Sequence, residues 1–174
     1  MKWTKLKILI TQGFCDSMRS RVSVYSTRYG NCNCGRAWIT LDGKTIAGTC
    51  TRAYWNRMAY DAEKSSYVQT KPTPSEEKRY SNQWVSYGDV SRQGFYESCW
   101  AFYHTLSIDE ALSSDDIIVQ ALAVIDRRVG KKRLLKLRDR GFHPLAMNLL
   151  LKRLEIENQE TAADIKSQGH ENEQ

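Results

Sequence analysis

The chain has 174 residues, 41% of them hydrophobic, with five Trp, nine Tyr, ten Gly and three Pro. That composition excludes a largely disordered polymer and fits one compact domain. Its 26 Lys and Arg against 20 Asp and Glu give a formal net charge of +6, so a polyanion or an acidic partner enters the list of possible ligands.

The opening MKWTKLKILITQGF has a basic start, but its uninterrupted apolar run is only Ile8 to Ile10, too short for a secretory signal or a membrane span. The end, HENEQ, carries no prenylation box, and no membrane association is expected. Cys15, Cys32, Cys34, Cys50 and Cys99 form an odd set without framework spacing, which points to free thiols in a reducing, cytoplasmic compartment.

Trp3, Leu6, Leu9 and Ile10 recur at helical spacing between lysines, which predicts a short amphipathic helix. From Arg21 the period changes to two. Val22 and Val24 alternate with polar residues, Arg36 to Leu41 forms a second run, and Asp42-Gly43 supplies a tight turn to a third run, Lys44 to Cys50. Three antiparallel strands of this kind need a helix on one face. Residues 51 to 64 are read as a helix with Thr51 as its cap. Ser65 to Asp89 is read as a polar connection, with a charged run at Glu76 to Arg79 and docking residues Trp84 and Tyr87.

The rest reads as helical. Phe95, Cys99, Phe102 and Leu106 share a face; Ser107 to Glu110 fits a capping box; Asp115 and Asp116 open the apolar run Ile117 to Ile125, with Arg127 and Arg128 at its other end. Gly130 either ends this helix or lies inside a longer one reaching Arg140, and Gly141 and Pro144 break the chain before Leu145 to Ile156. The runs Ile117 to Arg128 and Pro144 to Leu154 are alike in length and pattern, a hint of stacked helical repeats. Residues 155 to 174 hold six acidic residues against Lys166 alone and are expected to form an acidic, disordered tail.

The fold expected is therefore α+β: an N-terminal helix and a three-stranded meander, then a C-terminal bundle of four or five helices. One domain would span 1 to 154, sheet-rich to 64, polar from 65 to 89 and helical from 90. The MKW-x-KLK start, STRY with RAWITLDGK, and SIDEAL…DRRVGKKRLLKL…HPLAMNLL together resemble a family of short bacterial proteins of no known activity. The resemblance covers Met1 to about Leu154. It implies a bacterial cytoplasmic protein with this strand-then-helix layout, and brings no catalytic residue or cofactor.

The densest charge lies in DRRVGKKRLLKLRDR, Asp126 to Arg140, with eight basic residues against two acidic ones. On a continuous helix Arg128, Lys132, Lys136 and Arg140 fall on one stripe, where each like-charged pair costs about 0.2–0.5 kcal/mol unless a polyanion neutralises it. Asp109, Glu110, Asp115 or Asp116 could neutralise it instead, with Leu134, Leu135 and Leu137 holding the other face in the core. Residues 1 to 154 carry 25 basic and 14 acidic residues, a net +11, which the acidic tail could temper by competing for the stripe.

Arg127, Arg128, Lys131, Lys132, Arg133, Lys136 and Arg140 are thus the candidate contacts to a polyanion, nucleic acid first, without base specificity. An acidic protein in a bacterial defence or toxin-neutralising system is the alternative partner. A second candidate surface comprises Arg21, Tyr25, Arg28 and Tyr29, with Arg36 and Trp38 nearby; aromatics beside arginines on a sheet can stack bases, although ordinary cross-strand packing explains the same pattern.

Enzymatic chemistry has less support. Cys32 and Cys34 could begin a soft-metal or redox site, but the sequence offers no second ligand pair. Cys99 and His104, five apart on one helix, point about 140° away from each other. His143 before Pro144 reads as a cap or turn residue. No nucleotide-binding, hydrolase or zinc-protease fingerprint occurs, so no catalytic residue, metal or cofactor is assigned. A metal-dependent hydrolase would need distant acids such as Asp42 and Asp61 to converge.

Overall fold

A computed structural model describes residues 1–30, 32–75, 83–85 and 88–171, with side chains as far as Gln159. Helix α1, Trp3–Gly13, and the short α2, Asp16–Arg19, precede strands β1 (Val22–Arg28), β2 (Gly35–Leu41) and β3 (Lys44–Cys50), an antiparallel sheet in chain order. Asp42 and Gly43 have φ of 50° and 78°, the two positive values that a type I′ hairpin demands. Gly35 is needed for a different reason. A Cβ there would run into the Thr27 carbonyl and come within 3.0 Å of the Arg28 Cα, so β1 and β2 can pair this closely only at a glycine.

One face of the sheet is apolar. Val22, Val24, Ala37 and Ile39 are buried, while the buried Thr49 hydroxyl donates to the Ala37 carbonyl and accepts from its N–H. Helix α4, Arg92–His104, packs against β2 and β3 and against α1, with the Trp3 and Phe95 rings 5.8 Å apart. Trp84 and Val85 lie alongside β3: the Trp84 N–H donates to Ile46 and the Gly48 N–H to Val85, which is fully buried. The docking expected of Trp84 is therefore seen, whereas Tyr87 and the charged run Glu76 to Arg79 lie outside the described residues.

The expected helix over 51 to 64 is a correction. Helix α3 covers only Thr51–Asn56, and the chain then turns into a second hairpin of β4 (Met58–Asp61) and β5 (Ser66–Gln69). Asp61 Oδ1 accepts from the Glu63 and Lys64 N–H groups and so closes a turn in place of a continuing helix. Tyr60 and Tyr67 pair edge to face across the strands, and Arg57 gives its carbonyl to the Thr70 N–H. Thr51 is not a cap either; its Oγ1 accepts from the Gly35 N–H and ties α3 to the sheet.

The C-terminal half matches the helical pattern. Ser107 and Glu110 form the reciprocal capping box of α5, Ile108–Ser113. Asp116 caps α6, Ile117–Val124, by accepting from the Ile118 and Val119 N–H groups, and its other oxygen accepts from the Ser98 hydroxyl at 2.6 Å. Six of the eight residues of α6 are buried, because α4, α5 and α8 (Pro144–Glu171) surround it. Between α6 and α8 lies α7, Lys131–Leu137.

The change of composition at Glu155 does not end the last helix. Ile156 is buried, Glu157 accepts from Arg153, and α8 continues to Glu171.

Candidate nucleic-acid interface

The basic stretch from Asp126 to Arg140 is not one helix. Helix α6 stops at Val124, and Gly130, with extended backbone, is the N-cap of α7. The intervening turn is held from two sides. Against the α1–α2 junction, Cys15 N–H donates to Ile125 O and Arg127 N–H to Gly13 O, each at 2.9 Å, in an antiparallel bridge between Phe14 and Asp126. From α8 comes Arg153, only 3% exposed. Its Nη1 donates to the Val124 and Asp126 carbonyls at 2.9 and 3.0 Å, and its Nη2 to the Val129 carbonyl at 2.5 Å. A guanidinium there also complements the negative end of α6.

This turn removes Arg128 from the expected stripe. Buried Asp126 accepts from the Arg128 N–H, Nε and Nη2 at 2.8 to 3.0 Å, a bidentate pair that raises the arginine pKa further. Arg133 pairs with Asp109, and half-buried Lys131 donates to the Glu157 carbonyl at 3.4 Å. Neutralisation by neighbouring acids thus accounts for part of the charge. The remaining candidates are Arg127, Lys132, Lys136 and Arg140, all exposed; Lys132 and Lys136 sit one turn apart on α7, and Arg140 lies beyond its end, over the Phe142 ring at 5.6 Å. Arg138, exposed as well, belongs with them. The apolar face is narrower than expected, because Leu134 and Leu137 are buried whereas Leu135 is 49% exposed.

The second candidate surface divides by strand parity. Tyr25 stacks on Trp38 with ring centres 5.1 Å apart, and each ring has a cation over it, Lys7 on Tyr25 and Arg36 on Trp38. Cross-strand packing is what this pattern builds. Arg21 is engaged with Asp42 at 3.1 Å, and Tyr29 binds the Cys34 carbonyl through its N–H and approaches Cys50 Sγ through its hydroxyl. Arg28 has the opposite parity to Tyr25, so it does not share that face. It turns toward a cleft with Arg92, a residue that sequence reasoning missed because its environment is made by Ser26, 66 positions away.

Cys32 and Cys34 lie at the tip of the β1–β2 connection. The Cys32 thiol donates to the Tyr29 carbonyl, and a hydrogen bond from Cys34 lowers the Cys32 pKa while raising that of Cys34. Among the described residues no group of three or more His, Cys, Asp or Glu is placed to hold a metal ion, and Asp42 and Asp61 serve their own turns. Cys99 is buried with Phe95 and Phe102, which pushes its thiol pKa well up, while the His104 ring lies tilted against Trp100 with ring centres 4.1 Å apart. His143 is the cap that its position suggests: its Nδ1 accepts from the Leu145 N–H.

Fold and surface together define a small α+β protein with a sheet-rich first half, a helical second half and a set of exposed basic side chains on and beside α7 that, among the described residues, no carboxylate pairs. Among the described residues, no helix is long and apolar enough to cross a membrane. The chain belongs to the SF0329 protein family, whose model matches residues 2–154. No curated protein and no solved structure matches it.

Proposed function

We propose that this protein acts in a bacterial cytoplasm as a non-enzymatic nucleic-acid binder, its contacts made by the exposed side of α7 and the arginines flanking it. The observation that carries this reading is that Arg127, Lys132, Lys136 and Arg140 are exposed and, among the described residues, have no carboxylate paired with them. Lys132 and Lys136, one turn apart on α7, repel one another, and a phosphate backbone converts that repulsion into attraction. The contacts are to phosphate, so binding tolerates many sequences.

The test is fluorescence anisotropy with a labelled DNA or RNA duplex over a salt series. Four phosphate contacts correspond to a slope of log K against log salt of about −3.6. Changing Lys132, Lys136 and Arg140 to Glu is expected to abolish most of that slope and the affinity with it; unchanged affinity and slope would refute the assignment. Leu135, exposed among these cations, favours an acidic protein as the second reading. Partner recovery from cells with and without nuclease separates the two, since a protein partner survives nuclease treatment.

A further inference from the structure

A cleft of about 840 Å³ opens between the start of α1, the end of β1 and the first two turns of α4. Its wall includes Lys2, Trp3, Arg28, Arg92, Tyr96 and Glu97. Arg92 is the unusual member. It is only 7% exposed, its Nε donates to the Ser26 hydroxyl at 2.9 Å, and among the described residues no carboxylate pairs with it. A buried guanidinium ordinarily has an acid beside it, because desolvating an unpaired cation is costly. Here burial, and after it the like charge of Arg28, lowers the Arg92 pKa from the ordinary arginine value, with Tyr96 acting the other way. The contrast within the molecule is direct, since buried Arg153 has Glu157 at 2.6 Å and buried Arg57 has Asp89 at 2.6 Å.

We propose that this cleft is a binding site for a small phosphomonoester, its phosphate held by Arg92 and Arg28 with Lys2 at the rim. Among the side chains of the wall, Lys2, Arg28 and Arg92 contribute three positive charges and Glu97 one negative, a net +2 that matches a phosphate dianion better than a carboxylate. Glu97 lies five residues beyond Arg92 on α4, about 7.5 Å along the axis, and its carboxylate is held by the Gln93 amide at 3.0 Å. The anion therefore belongs at the Arg92 end, and the carrier group extends toward Glu97, which can accept a hydrogen bond from a hydroxyl or amino group. The cleft is in the size range of sites for whole small molecules and far exceeds what one phosphate ion fills. Trp3 and Tyr96 give the carrier an aromatic wall, with the Tyr96 hydroxyl anchored on the Met1 carbonyl at 2.8 Å.

The experiment titrates the full chain with inorganic phosphate and with phenyl phosphate at constant ionic strength, using chloride as the control and reading tryptophan fluorescence and the Arg Nε–H NMR signals. Both probes are expected to bind saturably, phenyl phosphate more tightly, with the Arg92 signal moving. R28A, at an exposed position, is expected to weaken both by roughly tenfold or more, the loss of one charge-assisted contact, while the thermal midpoint without phosphate stays the same. R92K keeps the charge but loses the fork, and should weaken both probes as well. A variant with Lys132 and Lys136 changed to Glu should bind phenyl phosphate as the wild type does, which separates this site from the α7 surface. Absence of saturable binding by either probe, or wild-type affinity in R28A, would overturn the proposal. Equal affinities for the two probes would overturn its assignment to a monoester.

Discussion

Replacing Arg153 with Met tests how the turn between α6 and α7 is held. The side chain spans three backbone carbonyls, Val124, Asp126 and Val129, and the Glu157 carboxylate, all within 3.0 Å, from a site that is 3% exposed. Methionine fills much of the same volume but supplies no donor, so three carbonyls and a carboxylate each lose a donor, although the Asp126 carbonyl still accepts from the Val129 N–H and Glu157 from the Ser17 hydroxyl. Leaving a buried acceptor unsatisfied costs about 1–3 kcal/mol, and breaking a buried ion pair from one side costs about 3–5 kcal/mol. These losses overlap, and relief from burying the guanidinium offsets part of them, so the net expected for R153M is about 3–5 kcal/mol.

Urea denaturation followed by tryptophan fluorescence and circular dichroism measures it, with R153K as the control that keeps charge without the fork. Adding E157Q to R153M should recover part of the loss, because the side chain that has lost its guanidinium is then neutral. Hydrogen exchange adds a local readout: the Arg127 and Cys15 amides, which close the bridge between this turn and the α1–α2 junction, should lose protection. A cost below about 1 kcal/mol for R153M, with those amides still protected, would refute the view that Arg153 organises the turn.

Gly35→Ala should lower stability by about 1–3 kcal/mol, because the new methyl meets β1 backbone that cannot move without breaking strand pairing; a denaturation midpoint equal to wild type would contradict this. The His143 cap should make stability pH-dependent. Burial depresses its folded pKa below the ordinary 6.5 although the Asp89 charge acts the other way, so the folded state binds fewer protons there; the cap's contribution is present above pH 6.5 and is lost as pH falls through the folded value. The stability difference between wild type and H143A should therefore shrink on acidification, and a difference independent of pH would count against the cap. Thiol labelling of the native protein should modify Cys32 first, since its pKa is lowered and it is exposed, whereas Cys99 should react only on unfolding, its thiol being buried and its pKa raised.

Local chemistry made much of this fold legible in the sequence. The apolar periods of α1 and β1, the Asp42-Gly43 turn, the Ser107 and Glu110 box and the break at Gly141 to Pro144 all depend on residues a few positions apart, where spacing is geometry. The helix expected over 51 to 64 failed for a reason of the same range: the aromatic alternation and the Asp61 turn favour a hairpin that the helical reading passed over. The extent of α8 past Glu155 depends on contacts between elements, since Ile156 and Glu157 are held by residues of the body.

The candidate sites divide along the same line. That Asp126 to Arg140 is dense in positive charge is a property of the sequence. Which of those charges face solvent unneutralised is not, because Asp109 reaches Arg133 from another helix, Arg153 sets the turn from 24 to 29 residues away, and that turn hands Arg128 to Asp126. The cleft around Arg92 was invisible for the same cause. Composition counts an arginine as a surface cation, and only packing α4 onto the sheet buries it beside Ser26 and Arg28 with, among the described residues, no acid paired to it. Charge inventory, apolar period and turn chemistry were determined by sequence alone; the pairing and burial of each charge were decided by tertiary structure, because Coulomb and desolvation energies depend on distances that only the folded chain defines.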